Sequence, residues 1–186
     1  LATQSSDWAF LVSRGTAGEY PRQRARGHAE LAGAALERLE QALRLNDYLL
    51  AHFRDEADGG LFFTSDCAED LIVRRKEFHD GATPSGNGVA MYNCLRLHRL
   101  TGRAGLEEAA EDIGCANARG VAESPLSHAM ALVALEFAVG PGTEVVLAAA
   151  PDGGGCEPFA AALSRPFLPS AVCLWKRGGE AGERLA

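Results

Sequence analysis

Residues 80–102, DGATPSGNGVAMYNCLRLHRLTG, combine a glycine-rich corner with the pattern of a helix. In the second half of this stretch, Val89, Tyr92 and Leu95 follow one another at three-residue steps, as one apolar helical face requires. Gly102 is typical of the residue that follows the last turn of a helix. The stretch therefore predicts a helix that ends at Thr101-Gly102.

The beginning of this helix has two candidate capping residues. Thr83-Pro84 has the form of a cap followed by proline at the first helical position, where the missing N–H group is no loss. Ser85 is the second candidate cap. We expect the helix to begin directly after one of these two caps.

Capping does not explain why the corner also contains Gly86 and Gly88. Inside a helix, each glycine costs about 1 kcal/mol relative to alanine. Glycine is tolerated at a helix start where another backbone or a ligand approaches closely, and the free N–H groups there attract negative charge. The corner is therefore either a tight contact between helices or a turn that faces a ligand, and the physical argument favours the contact.

The segment before the corner predicts one long helix and a sharp stop. Residues 28–53 carry apolar side chains mostly at three- and four-residue steps, with good helix formers between them. Residues 55–60, DEADGG, end that helix, and residues 61–64, LFFT, predict a small strand or a turn that fills part of a core. Residues 13–27 are broken by glycine and proline and predict a loop or a divergent insert.

The segment after the corner predicts two further helices. Residues 105–118 indicate an amphipathic helix. Ser124-Pro125 repeats the pattern of a cap followed by proline, and the apolar residues 126–139 predict a helix that is buried. Short connections between such helices are typical of helical hairpins.

The last part of the chain predicts a small strand–helix–strand unit. Residues 143–149, TEVVLAA, and 171–175, AVCLW, are short apolar runs typical of strands, and residues 157–164 indicate a short helix between them. Residues 151–155, PDGGG, lack the pattern of a phosphate-binding loop and predict a plain turn. The predicted fold class is mainly α with a small C-terminal βαβ-like unit.

The composition indicates an ordinary globular protein. The 186 residues are 47% hydrophobic, and their formal net charge of -7 argues against a nucleic-acid partner. No apolar run is long enough to span a membrane, and residues 1–10 lack the pattern of a signal peptide. We therefore expect a cytoplasmic protein with neither a nucleic-acid nor a membrane partner.

The five cysteines are odd in number and widely spaced, with no CxxC or Cys/His cluster along the chain. This pattern argues against a disulfide framework, a zinc site and a dithiol redox motif. We expect buried free thiols, no metal site and no cofactor.

The corner and the helix after it resemble the signature of the spermatogenesis-associated protein 20-like, thioredoxin-domain-containing family. Four further segments are similar to that family in the same order: DWAFLV at residues 7–12, FRDE with GGLFFT at 53–64, PGTEVVL at 141–147 and FLPSAV at 167–172. Gly88 departs from the pattern because the family usually has serine there.

The resemblance implies part of an α/α toroid like that of six-hairpin glycosidases and sugar 2-epimerases, built from helical hairpins. It implies that residues 1–140 form a helical-hairpin segment and that residues 141–186 form the βαβ-like tail of the same domain. The family pairs its toroid with an N-terminal thioredoxin-like domain, whose pattern is absent from these residues.

Sugar sites of α/α toroids lie on loops and helix starts at the mouth of the barrel, so the resemblance implies a site at the glycine-rich corner. Carbohydrate chemistry requires carboxyl groups, for which Asp80 and Glu77 are the candidates. The candidate ligand-binding residues are Asn87, Ser85, Arg75, Asp7 and Trp8, with His79 as a further donor.

Four of these candidates also have a structural interpretation. Asp80, directly before a glycine, is typical of a turn that its own side chain stabilises by a hydrogen bond to the backbone. The Asn87 side chain can also bond to the backbone of the turn. Glu77 is typical of a surface charge, and Trp8 of a core residue.

Three hypotheses about function remain open at this point. The first is a toroid segment that binds or acts on a carbohydrate, in which case an enzymatic activity would be glycosidase-like or epimerase-like. The second is a non-catalytic helical scaffold that partners a thioredoxin-like domain. The third is a truncated product without activity. The substrate and the reaction are not indicated, since the toroid fold hosts several chemistries.

Overall fold

The computed structural model describes residues 28–68, 72–148, 155, 157–163 and 165–176. Residues 7–12 and 13–27 lie outside the described ranges, so the predictions made for them stay predictions. In the described part of the chain, the elements in order are α1 (His28–Phe53), α2 (Gly86–Thr101), α3 (Ala104–Glu123), a 3₁₀ turn (Pro125–His128), α4 (Ala129–Val139), β1 (Thr143–Ala148), α5 (Glu157–Leu163) and β2 (Ala171–Lys176). This order confirms the mainly α class with a small C-terminal βαβ unit.

The loop after α1 holds the chain close to the core by two single β-bridges. Arg54 pairs with Leu61, and Phe62 pairs with Lys76, both in antiparallel fashion. Leu61 is buried, as expected of a turn that fills part of the core. The Lys76 Nζ donates to an Asp55 carboxylate oxygen at 2.7 Å and closes the loop.

Helix α2 begins one cap later than the proline pattern suggests. Ser85 is the N-cap, and its side-chain oxygen accepts from the N–H of Gly88 at 3.2 Å. The prediction of Thr83 as the cap is therefore wrong, because Pro84 precedes the cap instead of opening the helix. Gly102 ends α2 as predicted, in the left-handed conformation, with its N–H bonded to the His98 carbonyl oxygen at 2.7 Å.

The glycine-rich corner is a tight contact between helices. A Cβ atom at Gly88 would lie 3.1 Å from the Met130 Cβ on α4 and 3.0 Å from the Ser85 Oγ. At Gly86, by contrast, an added Cβ meets nothing within 4 Å. Gly88 therefore permits the close approach of α2 and α4, which is the packing interpretation of the corner.

Helix α4 differs from its prediction in both its start and its burial. Ser124-Pro125 leads into the 3₁₀ turn, and Leu126 is 95% exposed. The buried residues of α4 are Ala131, Ala134 and Phe137, which lie on one side of the helix. The expectation of a fully buried helix is wrong, because no described element covers the other apolar face of α4.

The core is centred on α2, which packs against α1, α3, α4 and β2. Cys94, Leu97 and Phe137 are its largest fully buried side chains. Among the other cysteines that are described, Cys67, Cys115 and Cys173 are exposed, so the expectation of buried thiols is right for Cys94 alone. Cys156 lies outside the described residues.

The two strands are parallel neighbours, with Thr143 opposite Ala171 and Ala148 opposite Lys176. A parallel pair needs a crossover connection, which here contains α5. Val172 of β2 is buried in the core cluster with residues of α2, α3 and α4. The tail therefore contacts the helical core, and the division into residues 1–140 and 141–186 of one domain stays a prediction. In the described part of the chain, no helix is both long enough and apolar enough to cross a membrane.

Candidate functional site

Asp80 lies where the starts of α2 and α4 meet. One carboxylate oxygen accepts from the Ser85 N–H at 2.8 Å, and the other accepts from the Met130 N–H at 2.7 Å. The Asp80 N–H donates to the Ser127 carbonyl oxygen at 2.8 Å. Since backbone N–H groups in the first turn of a helix lack intrahelical partners, one carboxylate satisfies two helix starts.

The pKa of Asp80 reflects this position. Burial raises the pKa of the Asp80 carboxyl, but the N–H donors of Met130 and Ser85 outweigh that effect and hold the pKa below its usual value. A carboxyl group with a lowered pKa is ionised near neutral pH and so holds no proton to donate as a general acid. The contacts of Asp80 are those of a residue that joins two helices, and its catalytic role stays a prediction.

Asn87, in the first turn of α2, is 3% exposed and joins that helix to the preceding loop. Its amide oxygen accepts from the Leu61 N–H at 2.7 Å, and its amide nitrogen donates to the Leu61 and Glu77 carbonyl oxygens, both at 2.9 Å. The side chain thus satisfies both backbone groups of Leu61, as a neighbouring strand would. Its three bonds hold the chain that leads into the corner.

The other predicted site residues divide into three groups. Ser85 caps α2 and is buried. It lies beside Asp80, to which its N–H donates, and two residues before Asn87 in the same helix start. The side chains of Glu77 and Arg75 are exposed on the segment that approaches the corner. Asp7 and Trp8 lie outside the described residues, so their predicted role in binding stays a prediction.

His79 is exposed, and its ring meets the buried His128 ring edge to face, with centroids 5.5 Å apart. The His128 Nδ1 lies 2.8 Å from the Ser124 carbonyl oxygen, which fixes the ring against the 3₁₀ turn. This pair borders the corner that Asp80 organises, and the sequence alone assigned no partner to either histidine.

An apolar groove of about 250 Å³ lies between α2, α3 and α4. Its α2 side contains Asn87, Gly88 and Met91. Small residues such as Gly114 and Ala118 line the α3 side, and Leu135 lines the α4 side. The groove is too apolar for a sugar site on its own, because only the two asparagines that line it, Asn87 and Asn117, offer polar side chains.

A second group of chemically active side chains, away from the glycine-rich corner, lies at the C-terminal end of α1. His52 is in the last turn of α1, and Asp66 and Cys67 follow in the loop. The three side chains place one ligand atom each within 4.8 Å of one another. The sequence did not indicate this group, because His52 is separated from the other two residues by a helix end and a loop with no recognisable ligand spacing.

The His52 Nδ1 lies 2.8 Å from an Asp66 carboxylate oxygen and 3.4 Å from the Cys67 Sγ. The Cys67 Sγ in turn lies 3.2 Å from the same carboxylate oxygen. Hydrogen bonds from Cys67 and His52 lower the pKa of Asp66, and the Asp66 carboxylate raises the pKa of the Cys67 thiol. The three atoms therefore form one compact, interacting set.

Comparison with known proteins confirms the resemblance seen in the sequence. Over 99 residues, the chain is 40% identical to spermatogenesis-associated protein 20 of Rattus norvegicus, 44% to that of Mus musculus and 42% to that of Homo sapiens. The matched part is 52% of this chain and spans 11% of the length of each relative.

A family model described as 1,4-alpha-glucan branching enzyme, C-terminal, matches residues 1–59. Of these residues, the structure describes those from position 28 onward, which form α1 and the start of the following loop. The family model thus relates residues 1–59 to a glucan-related family, and the relatives match about half of the chain.

Proposed function

We propose that this chain is a helical scaffold whose α3–α4 surface binds an apolar helical face of another protein domain. The observation that carries the proposal is the uncovered apolar side of α4. Leu132, Leu135 and Val139 are 36%, 43% and 77% exposed. Their spacing of three and four residues puts them on one stripe along the helix.

The stripe continues into the apolar groove, because Leu135 belongs to both. On the α3 wall of the groove, Gly114 has no side chain and Ala118 has only a methyl group. Small residues of this kind allow the axis of a neighbouring helix to approach closely, as ridges-into-grooves packing requires. The groove and the stripe together form the proposed binding surface, which we call the α3–α4 surface.

The occupant proposed for the α3–α4 surface is a helix of a longer assembly. Contiguous apolar patches of this kind mark interaction sites on soluble proteins. In the relatives, the matching segment is 11% of the chain, so most of each relative lies outside it and is available to supply the covering element. A toroid of helical hairpins, with residues 1–140 and 141–186 in one domain, is the arrangement that the resemblance implies.

In this proposal the glycine-rich corner, residues 80–90, has a positioning role. Asp80, Ser85 and Asn87 use their polar atoms on backbone groups of this same chain. They fix α2 against α4 and the preceding loop, and thereby hold the α2 and α4 sides of the groove at a set distance. The scaffold needs that rigidity because a preformed surface loses less freedom on binding.

The test is co-elution of this chain with the rat relative from which the matching segment has been deleted. We expect a one-to-one complex on size-exclusion chromatography, and Leu135→Glu should weaken it by about tenfold or more, since a buried charge is costly. Ile72→Glu is the matched control, because Ile72 is fully exposed and lies outside the α3–α4 surface.

A complex that forms equally well with Leu135→Glu would contradict the proposed surface. A complex with an isolated thioredoxin-like domain instead would identify the partner as that domain. A broad, non-cooperative melt of the chain alone would favour the truncated product without activity.

Carbohydrate binding at the glycine-rich corner is the second candidate function. Two observations favour it: the resemblance to six-hairpin toroids and the glucan-related family model at residues 1–59. In this candidate function Asp80 and Glu77 supply carboxyl groups, and Arg75, Ser85, Asn87, Asp7 and Trp8 bind the sugar. Exposed Glu77 and Arg75 are the groups that remain free to meet a ligand without disturbing the corner.

The test is a thermal melt with a panel of oligosaccharides that includes α-1,4-linked glucans. A ligand at about 100 times its Kd should stabilise the chain by about 2.7 kcal/mol. Glu77→Gln should remove the shift while the melt without sugar is unchanged, because Glu77 is exposed. A melt that no sugar shifts leaves the scaffold as the function.

A further inference from the structure

We propose that His52, Asp66 and Cys67 form a binding site for a single divalent transition-metal ion, with Zn²⁺ as the best match. The three residues offer one nitrogen, one oxygen and one sulfur ligand. Imidazole, carboxylate and thiolate are the side chains that bind zinc in proteins. In the described part of the chain, these three residues are the one group of this composition that comes within reach of a common ion.

The distances between the ligand atoms fit a tetrahedral ion. Around Zn²⁺, bonds of about 2.0–2.3 Å separate neighbouring ligand atoms by roughly 3.3–3.6 Å. The observed separations are 2.8 Å between nitrogen and oxygen, 3.4 Å between nitrogen and sulfur, and 3.2 Å between sulfur and oxygen. An ion therefore needs movements of only a few tenths of an ångström in side chains that are partly free to move.

The backbone around the cluster is held in place independently of any ion. The Asp66 N–H donates to the His52 carbonyl oxygen at 2.9 Å, which joins the loop to the end of α1. The Arg74 guanidinium donates to the same carbonyl oxygen at 3.1 Å. The Cys67 N–H donates to the Ser65 Oγ at 3.0 Å. These bonds limit the rearrangement that binding would require.

The His52 ring is also oriented by its neighbour one helical turn earlier. Tyr48 and His52 rings are 4.4 Å apart, which holds the imidazole at the helix surface. The His52 and Asp66 side chains are 30% and 52% exposed, so the site opens to solvent on one side. Three protein ligands and one open position are the arrangement of zinc sites that retain a water molecule.

The geometry favours a metal ion over a nucleophilic cysteine. In a Cys–His–acid set, the acid holds one ring nitrogen and the thiol meets the other. Here Asp66 and Cys67 both meet the Nδ1 atom of His52, which cannot donate to one and accept from the other at the same time. Three ligand atoms that converge on one point serve coordination, and a bound ion would deprotonate the thiol.

The charge of the cluster is also matched to a divalent cation. A neutral imidazole with one carboxylate and one thiolate carries two negative charges, which a divalent ion neutralises. Hard cations such as Ca²⁺ and Mg²⁺ prefer six or more oxygen ligands, whereas soft thiolate and imidazole ligands select Zn²⁺ and its neighbours. The site should therefore discriminate against Ca²⁺ and Mg²⁺.

The first experiment is titration of the reduced, metal-free chain with Co²⁺, which takes the place of Zn²⁺ and absorbs light. We expect one Co²⁺ per chain, a thiolate-to-cobalt charge-transfer band and visible bands typical of four-coordinate cobalt, all removed by added Zn²⁺. Cys67→Ser should remove the charge-transfer band and weaken binding at least tenfold. Cys115→Ser is the matched control, because Cys115 is another exposed free thiol, and should leave the spectrum unchanged.

Asp66→Asn and His52→Gln test the other two ligands, and each should weaken Co²⁺ binding at least tenfold while the thermal melt without metal stays cooperative. The proposal is overturned if no Co²⁺ binds at micromolar protein concentration. It is also overturned if the charge-transfer band survives in Cys67→Ser, since another thiol would then be the ligand. Zn²⁺ should raise the melting temperature of the parent chain but not that of Cys67→Ser, and an equal shift in both would contradict the site.

Discussion

A carboxylate oxygen of Asp80 accepts a hydrogen bond from the backbone N–H of Met130, fifty residues further along the chain, at 2.7 Å. The other oxygen accepts from the N–H of Ser85, the cap of α2. Helix N-termini carry a partial positive charge and free N–H groups. One negative side chain therefore stabilises two helix starts and fixes the distance between them.

Asp80→Asn should lower the free energy of unfolding by about 1–3 kcal/mol, the cost of leaving a buried donor without its partner. Asparagine keeps the shape of the side chain, but its NH₂ group must face a backbone N–H, and the negative charge is lost. Urea denaturation monitored by circular dichroism measures the effect. The control is Glu77→Gln, which changes an exposed carboxylate and should stay within about 0.5 kcal/mol of the parent chain. Equal stability of the two variants would show that Asp80 does not join the helices.

The contribution of Asp80 to stability should depend on pH in one direction only. Its pKa is lowered in the folded chain, so the unfolded state takes up a proton first as the pH falls. The stabilisation is fully present above the unfolded pKa of about 3.9 and is lost as the pH falls through the lower folded pKa. The difference in unfolding free energy between the parent chain and Asp80→Asn should be constant from about pH 6 to 8 and shrink below about pH 4. A difference that grew on acidification would contradict the assignment.

The elements that local sequence determines were predicted well. The apolar period along residues 28–53 requires no distant contact to indicate a helix, and α1 has those bounds. Gly102 ends α2 because a left-handed conformation is least strained for glycine, which is a local property. The short apolar runs at residues 143–149 and 171–175 became the two parallel strands, with β1 ending at Ala148 and β2 at Lys176.

The features that depend on distant neighbours could not be predicted. Composition alone made residues 126–139 look buried, but burial needs a covering element, and Leu135 has none among the described residues. The partner of Asp80 on α4 is set by how two helices pack, which no spacing in the chain encodes. The same holds for His52, whose approach to Asp66 and Cys67 depends on the course of the loop after α1.

Asn87→Asp should destabilise the chain by about 1–3 kcal/mol even though the two side chains have the same shape. The amide nitrogen of Asn87 donates to two carbonyl oxygens, those of Leu61 and Glu77. In aspartate an oxygen takes that position and repels both carbonyl oxygens, and burial adds to the cost of the charge. Urea denaturation at pH 7 measures the loss. The control is Asp58→Asn, an exchange of the same two residue types at an exposed position, and a loss no larger than that of the control would contradict the role of Asn87.

Gly60→Ala should destabilise the chain by more than about 1 kcal/mol, because both backbone conformation and space oppose a side chain there. Gly60 has a φ of 74°, and an added Cβ would lie 2.7 Å from the Phe78 ring. The control is Gly86→Ala, where an added Cβ meets nothing within 4 Å and alanine is the better helix former. Thermal melts of the two variants should therefore shift in opposite directions, and a neutral Gly60→Ala would show that the loop adapts freely.

Cys94 should resist alkylation in the folded chain, whereas the exposed Cys115 and Cys173 should react. Burial raises the pKa of the Cys94 thiol to about 11, and its side chain is fully enclosed in the core. Only the thiolate is a good nucleophile, so Cys94 lacks both the reactive form and access for the reagent. Iodoacetamide labelling at about pH 8, near the ordinary pKa of a free thiol, measures the rate at each cysteine when read by peptide mass spectrometry. The same reaction in urea is the control, because unfolding should make Cys94 react as fast as the others. Equal labelling of Cys94 and Cys115 without urea would show that α2 does not form the closed centre of the core.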